Sequence, residues 1–337
     1  MQQEYLEDMF RQCGLDIVRQ ETLWIRRCVI ARKMEDVYMC KRPLFGVAGF
    51  PPNFFSSTYG KSRENIFEWL HEVGLQWIEL QNTYGVKMKK EQALRYRALS
   101  EEFGIGISIH APYYINFCSV KPDVVERSRQ RMIQCIELAK YLKSTRIIFH
   151  PGFSTGKDLE ARQKDVQKVV DGLLSIRAYV DGDIHLYPET AGRISQIGSV
   201  DEIINICNEV PYAYPCFDMA HIHAFEGGAF YNSDAISDKL EYAERNLGEE
   251  KFSLMHFHMY PVEIGPYGEK KHKAFDDVYE NDGEQTGKFC PRAGDLMASI
   301  AKMNMNPVVV CEAYNSQDTG ALLMKQDFER ICKEKAI

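Results

Sequence analysis

Six metal-competent side chains close six short apolar runs of this chain. His110 closes IGISIH, His150 closes TRIIFH, Glu189 closes DIHLYPE, Asp218 closes AYPCFD, His258 closes FSLMHFH and Glu312 closes PVVVCE. Two more histidines follow close behind: His221, three residues after Asp218, and His272, in the segment after His258. A lone His or Glu at a strand end is more often a hydrogen-bonding or solvent-facing residue than a ligand. Six in succession are not what chance supplies. Imidazole and carboxylate together are the donors of zinc, with manganese or iron also feasible. Such a set is too large for one ion. Two or three divalent ions sharing a bridging carboxylate match the ligand count, and clustered carboxylates need that compensating charge. Among the remaining histidines, His71 falls in a helical stretch and His185 inside an apolar run. His223 and His256 each lie two residues from a candidate ligand, as substitutes for it or as its support.

The runs that carry these residues are the elements that must position them. With LFGVA (44–48) and LQWIEL (75–80) they make eight. Their near-continuous apolar character suits strands covered on both faces, as in a parallel sheet. Amphipathic stretches at 61–73, 90–103, 122–142, 158–180, 199–208, 234–247, 294–303 and 320–334 predict a helix after each. Eight strand–helix units predict an α/β fold, the (β/α)8 TIM barrel, in which the C-terminal strand ends converge on one mouth. An open doubly wound sheet is the alternative, but no GxGxxG follows the first run. Residues 44–337 therefore read as one catalytic domain. Residues 1–43 precede the pattern. Leu6, Met9, Phe10, Leu23, Trp24, Val29 and Ile30 at helical spacing predict an N-terminal helical extension that Pro43 ends.

Composition narrows the class. The 337 residues are 45% hydrophobic and 26% charged, as in ordinary globular proteins. No apolar run reaches the roughly eighteen residues of a membrane span, and the first ten residues (MQQEYLEDMF) lack the apolar core of a signal peptide. The ten cysteines are scattered with no CxxC pair, which predicts reduced, buried thiols and a cytoplasmic protein. A formal net charge of −7 weighs against a general nucleic-acid-binding surface. Three divalent ions would bring it to about −1 and concentrate positive charge at the mouth. Global charge thus does not decide the substrate.

The candidate ligands are embedded in longer phrases: FGVAGFPP (45–52), SIHAPYYIN (108–116), FHPGFSTGK (149–157), PETAGRISQIGS (188–199), CFDMAHIHA (216–224), HMYPVEIGPYGEKKH (258–272) and CEAY (311–314). From Leu44 to Glu312 this succession resembles the endonuclease IV family of DNA-repair enzymes (AP endonuclease family 2), within the xylose isomerase-like superfamily of TIM barrels. HAPYYIN, HPG, ETAG and DxxH form the specific part. The GEKKH ending is similar to the branch found in archaea and some bacteria. The resemblance implies that His110, His150 and Glu189 hold one ion. Glu189 would bridge to a second ion held by Asp218, His258 and Glu312, and His221 and His272 would hold a third. Commoner members carry an Asp two residues before the last His, where this chain has Lys270, so the third site needs a carboxylate from Glu263 or Glu269. The proline that often follows the family's last glutamate is absent, and residues 1–43 lie outside the match.

By the same resemblance the expected activity is hydrolysis of the DNA backbone 5′ to an abasic site, with damaged duplex DNA as partner and the protein acting as a monomer. Glu189 and Glu312 are the expected catalytic residues, Glu312 orienting or deprotonating the attacking water. An abasic nucleotide has no base to unstack, so bringing it to a barrel mouth is cheap. DNA contacts are expected from Tyr84, Lys87 and Lys89 in QNTYGVKMKK (81–90), and from Tyr113. The family's corresponding loop often inserts an Arg, which is absent here. A solvated helix start accounts for the lysine run equally well. Two rivals remain. A sugar isomerase or epimerase also places Glu, Asp and His at barrel strand ends, but with fewer ions. A metal-bearing protein that binds damaged DNA or a partner without catalysis is the other.

Overall fold

The computed structural model describes residues 42–156, 158–275 and 290–335. Its strands are β1 (Leu44–Ala48), β2 (Trp77–Gln81), β3 (Gly106–His110), β4 (Arg146–Phe149), β5 (His185–Pro188), β6 (Cys216–Asp218), β7 (His256–Met259) and β8 (Val308–Cys311). All are parallel, in the order β5-β4-β3-β2-β1-β8-β7-β6. Single bridges, Leu186 to Ala213 and Glu189 to Cys216, join β5 to β6 and bring the sheet nearly to closure. The eight-stranded TIM barrel expected from the alternating pattern is therefore the fold.

Among the described residues, eight long helices cover the sheet: α1 (Ile66–Val73), α2 (Lys90–Phe103), α3 (Pro122–Leu142), α4 (Leu159–Leu174), α5 (Val200–Glu209), α6 (Ser233–Leu247), α7 (Ala293–Lys302) and α8 (Gln317–Lys335). Each turns its apolar stripe inward, as α3 does with Met132, Ile136, Ala139 and Leu142. Three predicted boundaries move by four residues or more. Residues 61–65 are 3-10 turns, and α4 ends at Leu174, before a 3-10 turn at Arg177–Tyr179. FSLMHFH is only half strand: Glu249–Ser253 is a short helix with Glu249 and Glu250 in its first turn, where carboxylates oppose the helix dipole favourably. The predicted helical extension lies outside the described residues, apart from Arg42 and Pro43, which are not helical. Seven of the ten cysteines are described, all as free thiols, six of them buried. No described helix is long and apolar enough to cross a membrane.

Candidate metal centre

Parallel strands bring the six predicted residues to one end of the barrel. His110 ends β3, and its Nδ1 lies 2.9 Å from the Ala111 carbonyl. A carbonyl only accepts, so Nδ1 carries the hydrogen, and Nε2, 3.1 Å from Glu189 Oε2, is left as the free donor atom. His150 and Glu189 stand one residue beyond β4 and β5, and Glu312 one beyond β8. The ligand atoms of His110, His150 and Glu189 lie within 4.8 Å of one another, as do those of Glu189, Asp218, His258 and Glu312. Glu189 belongs to both groups. Its Oε1 is 3.1 Å from His258 Nδ1, which is also 3.7 Å from Glu312 Oε1. Two buried atoms facing this space, His150 Nδ1 and Asp218 Oδ2, have no hydrogen-bond partner. Orphaned donors inside a buried cluster fit a divalent cation better than they fit one another.

The third group is built differently. Asp218 is the N-cap of the short helix Met219–Phe225, and its Oδ1 accepts from the His221 backbone N–H at 2.8 Å. Capping geometry thus explains the DxxH spacing, since the cap and the third helical residue share one side of the first turn. His221 Nδ1 lies 2.9 Å from the Thr190 carbonyl, and its Nε2 lies 3.0 Å from Glu269 Oε2. Glu269 and His272 come from the hairpin of Val262–Gly265 and Gly268–His272, where Glu269 Oε1 is 2.9 Å from His272 Nε2. Residues three apart on a strand face opposite ways. Here the register pairs Glu263 with Lys271 but Ile264 with Glu269, so Lys270 is an extra, bulged residue. The bulge restores Glu269 and His272 to one face and turns Lys270 outward onto Glu263. Of the two carboxylates the sequence left open, Glu269 completes His221 and His272, and Glu263 does not. Tyr260 stacks on the His272 ring at 3.9 Å and fixes its plane.

Close backbone approach holds the two groups together. The Glu269 N–H donates to the Gly192 carbonyl at 2.8 Å. A Cβ on Gly192 would lie 2.6 Å from both Glu269 Oε2 and His221 Cδ2, so the ETAG glycine has a steric reason. Arg162 clamps the following loop, pairing with Glu202 at 2.7 Å and donating to the Ile194 and Gln196 carbonyls.

Burial and charge work against each other throughout. Burial alone would raise Glu189 and Glu269, but the surrounding histidines hold both carboxyls low. Burial, with Glu189 adding repulsion, pushes Asp218 up to about 7 despite His221. Burial lowers His110, yet its pairing with Glu189 outweighs this and carries it to about 9, while burial takes His150 down to about 4.

The strand-end reading missed Glu79, which is fully buried on β2. It sits two residues before the end of β2, on the inward face that Gln81 shares, so strand alternation was the available signal. Of the two closer histidines, His256 lies beneath His258 with Nε2 3.2 Å from Glu79 Oε2. His223 instead uses Nδ1 to accept from the Phe230 N–H, away from the cluster. His71 meets the Phe103 carbonyl and His185 packs at a tilt against Tyr214, both outside the mouth. Tyr113 packs edge-on against His150 at 5.6 Å. Tyr84 is exposed beside Tyr114, with the Lys87 ammonium 5.9 Å above its ring. Lys89 caps α2 and Lys90 leans on Tyr141, so these two do form a helix start. Arg193, unremarked in the sequence, lines both a cavity of about 250 Å³ over the candidate ligands and a neighbouring groove of about 900 Å³.

A family model described as xylose isomerase-like TIM barrel matches residues 67–334. The chain belongs to that family. Within it, the chain is 28% identical over 284 residues to an uncharacterized protein of Methanocaldococcus jannaschii, covering 84% of this chain and 96% of the other. It is 27% identical over 183 residues to a probable endonuclease 4 of Akkermansia muciniphila, covering 52% of this chain and 64% of that one. In fold, endonuclease IV from Thermus thermophilus superposes with a TM-score of 0.60 at 16% identity, over 87% of this chain and 99% of the other. A D-tagatose 3-epimerase-like protein does so with a TM-score of 0.60 at 14% identity, over 87% and 100%. The family resemblance read from the motifs is borne out.

Proposed function

We propose that this family member is an endonuclease IV-like phosphodiesterase that uses two or three divalent ions, zinc foremost, to cut DNA 5′ to abasic sites. One observation carries the reading: three ligand groups share one barrel mouth, and the third is completed by Glu269 through the bulge at Lys270. A sugar enzyme with one or two ions has no use for a third group of His221, Glu269 and His272. Bound ions would supply an acidified water and charge compensation for the attacking and leaving oxygens. Glu312, approached by Gln81 Nε2 at 3.4 Å, would orient and deprotonate that water. Glu189 keeps the two strand-borne groups in register. The rim fits nucleic acid: Tyr84, Tyr113, Tyr114, Tyr267 and Tyr314 are exposed on the loops after β2, β3, β7 and β8. Lys87, Arg131 and Lys271 sit over three of these rings. Exposed rings with adjacent cations are a stacking surface for bases. Arg193 would meet phosphate oxygens at the mouth.

The epimerase reading draws on the group of Glu189, Asp218, His258 and Glu312, which alone offers one ion and two acids. Its fold support equals that of the nuclease. Incision of a duplex oligonucleotide with one abasic site separates the two. Metal-loaded protein should cut on the 5′ side, and Glu312→Gln should lower the rate by about two orders of magnitude or more. Absence of cutting by fully loaded protein, with turnover of a ketose, would sink the nuclease.

A further inference from the structure

Beside His150, whose Nδ1 faces Glu189 with no hydrogen-bond partner, the other four ligand histidines fall into two kinds. His110, His221 and His272 each rest Nδ1 on a backbone carbonyl, of Ala111, Thr190 and Glu312 respectively, and turn Nε2 toward the cluster. His258 is reversed. Its Nδ1 faces Glu189, Asp218 and Glu312, and its Nε2 points down the barrel axis to Glu79, 3.1 Å from Oε1 and 3.3 Å from Oε2. It is the one of these four whose second nitrogen meets a carboxylate in place of a backbone carbonyl; His221 Nδ1 has the Thr190 carbonyl at 2.9 Å as well as Glu189 and Asp218 at 3.3 Å.

That carboxylate is itself held. Ser108 Oγ donates to Glu79 Oε2 at 2.9 Å and in turn accepts from Trp77 Nε1 at 2.9 Å. Gln81 Nε2 donates to Oε1 at 3.2 Å. Glu79, Ser108, His256 and His258 are all fully buried, in a barrel interior that branched apolar residues ordinarily fill. No described lysine or arginine forms an ion pair with Glu79, so its buried charge is answered by imidazole and hydroxyl groups.

We propose that Glu79 is a positioning residue of the metal centre: it accepts the Nε2–H of His258, so that Nδ1 presents its lone pair to the ion shared with Glu189, Asp218 and Glu312. Neutral imidazole has one N–H and one lone pair, so a carboxylate on one nitrogen decides the tautomer and makes the other a stronger donor. A backbone carbonyl does the first but less of the second. The ion at the four-residue group should therefore be the one most sensitive to a change behind its histidine. This inference rests on reading the strand-borne residues as a metal centre, and needs nothing about DNA.

The test is competitive titration of zinc against a chromogenic chelator, with metal content by elemental analysis, on wild-type protein, Glu79→Gln and Glu79→Ala. Glu79→Ala should weaken one ion of the set by roughly 10–100-fold and leave the others unchanged. Glu79→Gln keeps an acceptor oxygen without the charge and should fall between. Nitrogen-15 NMR of the zinc-loaded proteins should show the His258 proton on Nε2, hydrogen-bonded in wild type and released from that bond in Glu79→Ala. The zinc-induced rise in Tm should shrink in the variant. Equal zinc affinities with equally lowered Tm in metal-free and loaded forms would make Glu79 merely structural and overturn the proposal. So would loss of the same ion on Cys216→Ala or His256→Ala. That result would place Glu79 among the ligands of a deeper site with Cys216, His256 and His258, which also lie within ligand distance of one another. A protein that binds zinc as expected but leaves abasic DNA intact would defeat the nuclease reading and not this one.

Discussion

The strand-borne half of the centre and the loop-borne half reach similar distances by different means. His110, His150, Glu189, Asp218, His258 and Glu312 lie in or within one residue of barrel strands, and the packed barrel sets their positions. His221, Glu269 and His272 depend on a helix cap, a hairpin bulge and the absence of a side chain at Gly192. The first half is rigid because moving a ligand means moving a strand. The second is adjustable because one residue in a hairpin reverses a face. The same comparison explains why Lys270 is compatible with a complete third group: the carboxylate moved one residue upstream, and the bulge absorbed the difference.

Removing the carboxylate common to the strand-borne groups should give the largest effect. Glu189 faces His110, His150, His221 and His258 within 3.5 Å. Glu189→Gln should lose the two ions of that half and cost about 3–5 kcal/mol in stability, the scale of breaking a buried charge pair. Elemental analysis and urea denaturation would show it; loss of the loop-borne ion alone would invert the comparison.

Altering the hairpin should cost one ion and little stability. Inserting an alanine between Lys270 and Lys271 with the bulge at Lys270 kept sends Glu269 and His272 to opposite faces, and metal content should drop by one. Deleting Lys270 makes them alternate residues of a regular ladder, again on one face, and the ion should be retained. If deletion and insertion behave alike, the bulge does not set the site.

Proton competition is the mildest probe. His110, raised from 6.5 to about 9 in the metal-free protein chiefly by Glu189, holds a proton below that pH that must leave before Nε2 can bind an ion. Zinc affinity at the strand-borne half should therefore rise with pH, up to tenfold per unit below about 9, and flatten above it. In the metal-free protein the linkage has the opposite sense. The stability from the His110–Glu189 pair is fully present below pH 6.5 and is lost as pH rises through about 9. Chelator competition and Tm measured across pH 6–10 would show both trends, and a flat affinity would remove the proton from His110.

The amino-acid sequence by itself determined the barrel, because apolar runs of strand length alternating with amphipathic stretches have one economical parallel packing. It also determined six strand-end candidate ligands, because metal-competent residues there have one mouth to share. What it left open was local geometry that no fixed period announces. Glu263 and Glu269 are equal candidates until the bulge at Lys270 decides which side of the hairpin each faces. Glu79 is an unremarkable acid in WIELQ until β2 turns it inward and β7 sets His258 against it, 179 residues away. Arg193 gains a role only where the β5 loop folds over the cavity. Periodicity records which face of an element is buried; which buried polar groups then meet depends on register and closure between distant strands, and tertiary structure alone decided that.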